Sequence, residues 1–278
     1  MHDIDIAAAA LPRRCSAATA APSAWRRARR LRALFALVLV AFAPAALAGP
    51  YQVYGNQYAW VNNFNDPNNV IQGTFHSGST PSMTVTFNFA SSSLYGYPAI
   101  LRGSHYGFNP TSDRTFPRQV SALQSLPSTF AYSSGGSNMA GDFAYDLFLR
   151  WDNNTSSSAI PQTEVMIWGG HNSYPIGTLT ASNVISAGGY SFDLWEGMNT
   201  AAGYYVYTFI PHNTAGQPNL PTNGNLNIDI KPFLTWLHNN RAQDGRYSNA
   251  MYLHVVEAGF EVVRGNGWAW FQANIDAN

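Results

Sequence analysis

Thr163-Glu164-Val165-Met166-Ile167-Trp168 is the stretch on which the fold turns. A two-residue period along it places Glu164, Met166 and Trp168 on one face and Val165 and Ile167 on the other. A carboxylate is thereby aligned with a thioether and an indole. The same β-rich texture recurs at Ser82 to Phe89, Phe143 to Trp151, Tyr204 to Ile210 and Tyr252 to Val263, with Gly, Asn, Ser and Pro clusters between the runs. Strands at this spacing, joined by turn chemistry, predict an all-β sandwich or barrel. One segment breaks the pattern. From Asp229, residues Ile230, Phe233, Leu234 and Leu237 fall at i, i+3, i+4 and i+7, with Asp229 placed to cap and Pro232 in the first turn, so a single helix packed on the β body is expected.

Composition narrows the possibilities. The 278 residues are 46% hydrophobic and 14% aromatic but only 11% charged, which supplies ample buriable surface and excludes a disordered chain. Basic and acidic residues number 15 each, and no basic stripe exists for binding nucleic acid. Seven of the basic residues precede position 33, however, and lead into the apolar run Leu34 to Ala43 and then Ala46-Leu47-Ala48. This is the layout of a secretory signal, with residues 1–48 as the leader and cleavage before Gly49. The apolar stretch is shorter than the ~20 residues that cross a bilayer as a helix, so no membrane association is expected after cleavage. Residues 49–278 then read as one domain with 8 basic and 13 acidic side chains and no cysteine, since Cys15 lies in the leader. Thiolate chemistry and disulfides are excluded from that domain.

Glutamate is scarce beyond the leader: Glu164, Glu196, Glu257 and Glu261. In Val256 to Val263 the two-residue period puts Glu257, Gly259 and Glu261 together, opposite Ala258, Phe260 and Val262. Such positions can be the solvated face of half-buried strands. Here they neighbour Trp168 and the Trp268/Trp270 pair in sequence, which suggests acids presented to an aromatic groove. Sugar rings stack on indole and phenol faces, and glycosidic cleavage uses one acid to protonate the leaving oxygen plus a second carboxylate. Other chemistries lack their motifs. There is no H-E-x-x-H, Gly103-Ser104-His105-Tyr106-Gly107 lacks the order of a nucleophile elbow, and the six histidines past His2 show no ligand spacing, so neither metal nor cofactor is expected. Turn chemistry accounts for the Asn-rich stretch Asn62 to Asn69 better than a calcium loop does.

Several blocks also match a known family. Tyr97-Pro98-Ala99-Ile100, Gly103-Ser104-His105-Tyr106, Tyr145-Asp146-Leu147-Phe148, Glu164 to Trp168, Pro175-Ile176-Gly177 and Ala258-Gly259-Phe260-Glu261 stand in the order found in glycoside hydrolase family 12, which the chain resembles over most of residues 51–276. The resemblance implies a β-jelly-roll sandwich of two antiparallel sheets with one packed helix, and a secreted, monomeric, retaining endo-β-1,4-glucanase or xyloglucanase acting on plant cell-wall β-glucan. It implies Glu164 as nucleophile, Glu261 as acid/base and Asp146 as a helper acid hydrogen-bonded to Glu164. It further implies substrate contacts from Asn56, Tyr58, Trp60, His105, Met166 and Trp168, with either Tyr58 or Trp60 as the sugar platform and Tyr58 favoured by register. Glu257 falls where relatives commonly have a neutral residue. Gly169-Gly170 follows the tryptophan where relatives commonly carry Leu, which predicts a flexible turn there. A non-catalytic glycan-binding module, or a related endo-xylanase, is the competing expectation.

Overall fold

The computed structural model describes residues 49–278, so the expected leader lies outside the described residues. Fourteen strands are formed: β1 Tyr51–Tyr54, β2 Gln57–Trp60, β3 Gln72–Phe75, β4 Ser82–Phe89, β5 Ala99–Gly103, β6 Arg118–Gln119, β7 Pro127–Arg150, β8 Thr163–His171, β9 Thr178–Ala187, β10 Tyr190–Asn199, β11 Tyr204–Pro211, β12 Asn223–Asn225, β13 Ile228–Asp229 and β14 Tyr252–Ile275. Each of the five runs singled out by alternation lies in a strand, except that Trp151 falls one residue beyond the end of β7. Among the described residues no helix is long and apolar enough to cross a membrane.

Two 24-residue strands, β7 and β14, pair antiparallel from Tyr252 opposite Arg150 to Ile275 opposite Ser128. Their two halves serve different layers. The second half of β7 and the first half of β14 sit in the middle of β1-β2-β5-β14-β7-β8-β11-β10-β9, while their other halves pair with β4, β12 and β13, and β3 extends β4. A jelly-roll sandwich results. One pair departs from the antiparallel expectation: β8 and β11 run parallel, because the β9–β10 hairpin intervenes in the chain and occupies the far side of β11.

Face assignment follows the period-2 rule up to the point where the strands change layer. Val256, Ala258, Phe260 and Val262 enter the core, and so do Ala269, Phe271, Ala273 and Ile275. The core parity therefore switches from even to odd. Register shifts between Val262 and Arg264 and between Arg264 and Asn266 make the switch, and β7 mirrors it, with Phe143 and Tyr145 inward on one half and Phe130 and Tyr132 on the other. Trp268 and Trp270 consequently stand on the outer face of the second layer. They do not neighbour the glutamates as their sequence proximity suggests.

Between the layers, Phe143 stacks on Tyr132 at 4.3 Å and lies 4.6 Å from Phe260, which continues to Phe87 at 5.8 Å. The helix α1, Lys231–Arg241, buries Phe233, Leu234 and Leu237 against this core as its spacing predicts. Asp229 lies one position before the capping residue Ile230. Its Oδ1 accepts from the amides of Lys231 at 3.0 Å and Leu126 at 2.8 Å, tying the helix start to the approach to β7. Gly169 and Gly170 form no turn. Both are buried within β8, where Tyr132 crosses so closely that a Cβ at Gly169 would approach its hydroxyl, and one at Gly170 its ring, to 2.9 Å.

The aromatic stack makes Phe143 central to both layers. Phe143→Ala is expected to cost about 3–5 kcal/mol, read as a lowered midpoint of denaturant unfolding at unchanged slope.

Candidate active site

The exposed side of the β5-β14-β7-β8-β11 region carries a second apolar cluster that includes Tyr58, Trp60, Tyr97, Phe148, Met166, Trp168 and Tyr204. Five acids are set into it: Asp142 and Asp146 from β7, Glu164 from β8, and Glu257 and Glu261 from β14. Strand register assembles them. Asp146 lies opposite Glu257 on one side and Met166 on the other, two residues along β8 from Glu164, and Asp142 lies opposite Glu261. Among the described residues, none of the five is ion-paired with Lys or Arg.

Burial without such partners moves the titration of Asp142, Asp146, Glu164 and Glu261. Glu164, only 6% exposed, has its carboxyl held well above the usual range, first by burial and then by the negative charges of Glu261 and Glu257. Asp146 is raised for the same reasons, with Glu164 its strongest charged neighbour, and its Oδ1 has no hydrogen-bond partner. No hydrogen bond joins Asp146 to Glu164, contrary to expectation, because the two acids are diagonal rather than opposite in register. Burial also raises Glu261, and a hydrogen bond from Asp142 counteracts that rise. Asp142 is fully buried and raised well above its ordinary value by burial and then by Glu261. Their hydrogen bond raises Asp142 and lowers Glu261, as it does when Asp142 donates and Glu261 accepts. Ser173 Oγ donates to Asp142 Oδ2 at 3.4 Å.

Asp142 is a site residue that sequence reading missed, although Gly141-Asp142 precedes the matched Tyr145-Asp146 block by two periods of the alternation, on the same face as Asp146. Glu257 also belongs to the site. It is fully buried, with Oε1 2.5 Å from His105 Nδ1 and Oε2 unpartnered. His105 is held edge-on by Trp60 at 5.1 Å and Phe148 at 5.4 Å. Burial lowers the neighbouring His171 to about 4, keeping it neutral.

The expected sugar contacts divide. Met166 and Trp168 lie in the cluster as predicted, and the indole Nε1 groups of Trp60 and Trp168 are buried donors without partners. Tyr58 is fully buried beneath Phe108, to whose carbonyl its hydroxyl donates at 3.1 Å, so it offers no open face as a platform. Trp60, at 7% exposure, is the more accessible of the two. Asn56 is not brought to the acids. It occupies the exposed β1–β2 turn, and the adjacent Gln57 is bonded to Asn274 near the end of β14.

Comparison with known proteins places this geometry. Residues 60–278 match the model of glycosyl hydrolase family 12. A xyloglucan-specific endo-β-1,4-glucanase of Aspergillus niger is 30% identical over 155 residues, covering 53% of this chain and 56% of that one, and one of Emericella nidulans is 28% identical over 230 residues, covering 80% and 82%. The chain thus spans little more than half the length of the first of these. Among solved structures, a family 12 xyloglucanase of Bacillus licheniformis superposes with a TM-score of 0.65 at 25% identity, over 84% of this chain and all of that one. An endoglucanase of Rhodothermus marinus, at 21% identity and TM-score 0.62 over the same shares, supports the fold.

The raised titration of Asp142 has a consequence for stability. An acid whose folded pKa lies above its ordinary 3.8 stabilises the fold fully below that value and loses this contribution as pH rises toward the folded value. Asn at this position keeps a donor for Glu261 but cannot ionise. The melting temperature of Asp142→Asn relative to the parent is therefore expected to rise steadily as pH increases above the ordinary carboxyl value of 3.8, as read by thermal denaturation. A flat difference would place the proton elsewhere.

Proposed function

Because the chain belongs to glycosyl hydrolase family 12, we propose that it is a secreted endo-acting glycosidase that cleaves the β-1,4-glucan backbone of plant cell-wall polysaccharide with retention of configuration. The observation that carries this reading is the lining of one apolar face with Glu164 and Glu261, the charge of Glu261 adding to the burial that raises Glu164, among buried indole donors that lack partners. A hydroxyl-rich chain suits those donors, and two acids suit its glycosidic bond. Residues 1–48 act as the export leader, residues 49–278 as the catalytic domain, and the protein works as a monomer without cofactor or metal.

Glu164 attacks the anomeric carbon in its ionised form, while protonated Glu261 gives its proton to the departing oxygen. The two carboxyls repel when both are charged, so the pair holds one proton over a wide pH range, and the reactive state has that proton on Glu261. Esterification of Glu164 by the sugar then removes its negative charge. Glu261 becomes easier to ionise and accepts a proton from the water that releases the glycosyl group. Asp142, donating to Glu261, keeps that carboxyl from rising too far to lose its proton, and Asp146 adds negative charge beside Glu164.

The alternative substrates differ in branching. The xyloglucan specificity of the Aspergillus niger and Emericella nidulans relatives makes branched β-1,4-glucan the leading candidate, ahead of unbranched and mixed-linkage glucans.

Glu164→Gln and Glu261→Gln are each expected to lower turnover of barley β-glucan and tamarind xyloglucan by about 10²–10⁴-fold or more. Azide distinguishes the roles. With an aryl cellobioside, azide should restore activity to Glu261→Gly and yield the β-glycosyl azide, whereas Glu164→Gly should yield the α-azide. The reverse anomers would exchange the assignments, and near-normal hydrolysis by either Gln variant would overturn them.

A further inference from the structure

The tryptophan pair that the acid site does not absorb stands on the outer layer. Trp268 is 41% exposed and is the rung partner of Thr86 on β4 and Gly135 on β7, while Trp270 pairs with Thr84 and Ser133. A Cβ added at Gly135 would meet Cε2, Cζ2 and Nε1 of the indole, each at 3.0 Å. One point equidistant from three contiguous ring atoms lies above the ring, so the indole rests flat across the Gly135 backbone and turns its other face outward. Gly135 does not adopt a positive φ. Its missing side chain makes room for the indole and serves no turn.

Beside this indole is an open depression of about 440 Å³ lined by Thr86, Asn88 and Asn266 together with Trp268, Gly267, Val70 and Phe87. Asn88 and Asn266 are rung partners, so their amides lie side by side one step along the face from the indole. The strand neighbours on this face are Thr, Ser, Asn and Gln. None of the seven residues lining the depression is titratable; farther out, His76 Nε2 meets Thr84 Oγ1 at 2.9 Å, Arg264 Nε donates to the Asn138 carbonyl, and buried Asp66 accepts from the Ile71 amide. A charged ligand would find no counter-charge here, and an apolar protein partner would face a ring of amides and hydroxyls. A pyranose chain meets the face on both counts, its C–H side against the electron-rich indole and its hydroxyls toward the amides.

We propose that this outer face is a second binding surface for neutral β-linked glucan, with Trp268 as the stacking platform and Asn88 and Asn266 as hydroxyl partners. It rests on the reading that the protein acts on β-glucan. A polymer held here by one segment has its other segments at raised local concentration around the protein, which benefits long substrates and leaves short ones unaffected.

The test separates binding from turnover. In the Glu164→Gln background, retardation of the full chain in native gels containing β-glucan or xyloglucan measures binding without cleavage. Adding Trp268→Ala is expected to weaken retardation about tenfold. In the otherwise unaltered protein, Trp268→Ala should raise KM on polymer while leaving kcat and KM on an aryl cello-oligosaccharide unchanged. Thr86→Arg, an exposed change that lays a long cation across the depression, should act alike should Trp268→Ala fold poorly. Unaltered retardation with both variants overturns the proposal, and so does an equal loss on the short substrate. A dimer in size-exclusion chromatography that Trp268→Ala converts to monomer also overturns it, assigning the face to a second copy of the chain. Failure of the parent to release sugars from any glucan would sink the hydrolase reading alone, since Trp268-dependent retardation would still stand.

Discussion

The continuous pairing of Pro127–Arg150 with Tyr252–Ile275 is the constraint on which the rest depends. Every strand of the first layer attaches, directly or through a neighbour, to one half of this ribbon, and every strand of the second layer to the other half. Where the ribbon passes between layers, β-bulges on both strands exchange inward and outward positions. The exchange lets two strands bury aromatic side chains along their whole length while presenting different chemistry outside: acids on the first half, tryptophans and amides on the second.

The acid cluster is expensive to keep, and its surroundings explain how it persists. Directly beneath it on the same strands lie Tyr145, Leu147, Val165, Ile167, Val256, Ala258 and Phe260, all fully buried. That apolar layer stabilises the fold enough to hold carboxyls in a region where Asp142, Asp146 and Glu164 are each raised by burial and by neighbouring acids. Partnerships relieve part of the strain. Glu257 is answered by His105, and the Asp142–Glu261 pair is joined by one proton, whereas Asp146 and Glu257 each retain an oxygen with no partner. Strongly shifted acids gathered on one accessible face are what proton-transfer chemistry needs and what stability alone would select against.

Much of this was readable from residues alone. Alternation located the strands, and it placed Glu164 with Met166 and Trp168, and Glu257 with Glu261, because a pleated backbone fixes side-chain direction locally. The helix was readable for the same reason at its own period. What alternation could not supply was information held between strands. The parity switch after Val262 arises from bulges, so Trp268 and Trp270 were read onto the wrong side. The burial of Tyr58 depends on Phe108, fifty positions away, and the hydrogen bond from Asp142 to Glu261 depends on register across 119 positions. The Gly169-Gly170 pair resembles a turn locally, yet it is a passage for the ring of Tyr132.

Charge shows how the two faces divide their labour. Within residues 49–278 there are 13 acidic and 8 basic side chains, and removing the five clustered acids leaves eight of each. The excess negative charge of the domain is therefore the site itself. The ion pairs elsewhere, Arg102–Asp113, Arg150–Asp152 and Arg241–Glu196, balance among themselves and leave the cluster without a guanidinium or ammonium. A cationic neighbour would hold the carboxyls low and always ionised. Without one, Asp142, Asp146, Glu164 and Glu261 hold their protons to higher pH than free carboxyls do, as acid and base steps require. Attraction of the proposed β-glucan cannot come from charge, since such a polymer has none, so under that reading it falls to indole faces and hydrogen-bonding groups. The cleft has both beside its acids, and the outer face has both with no acid at all.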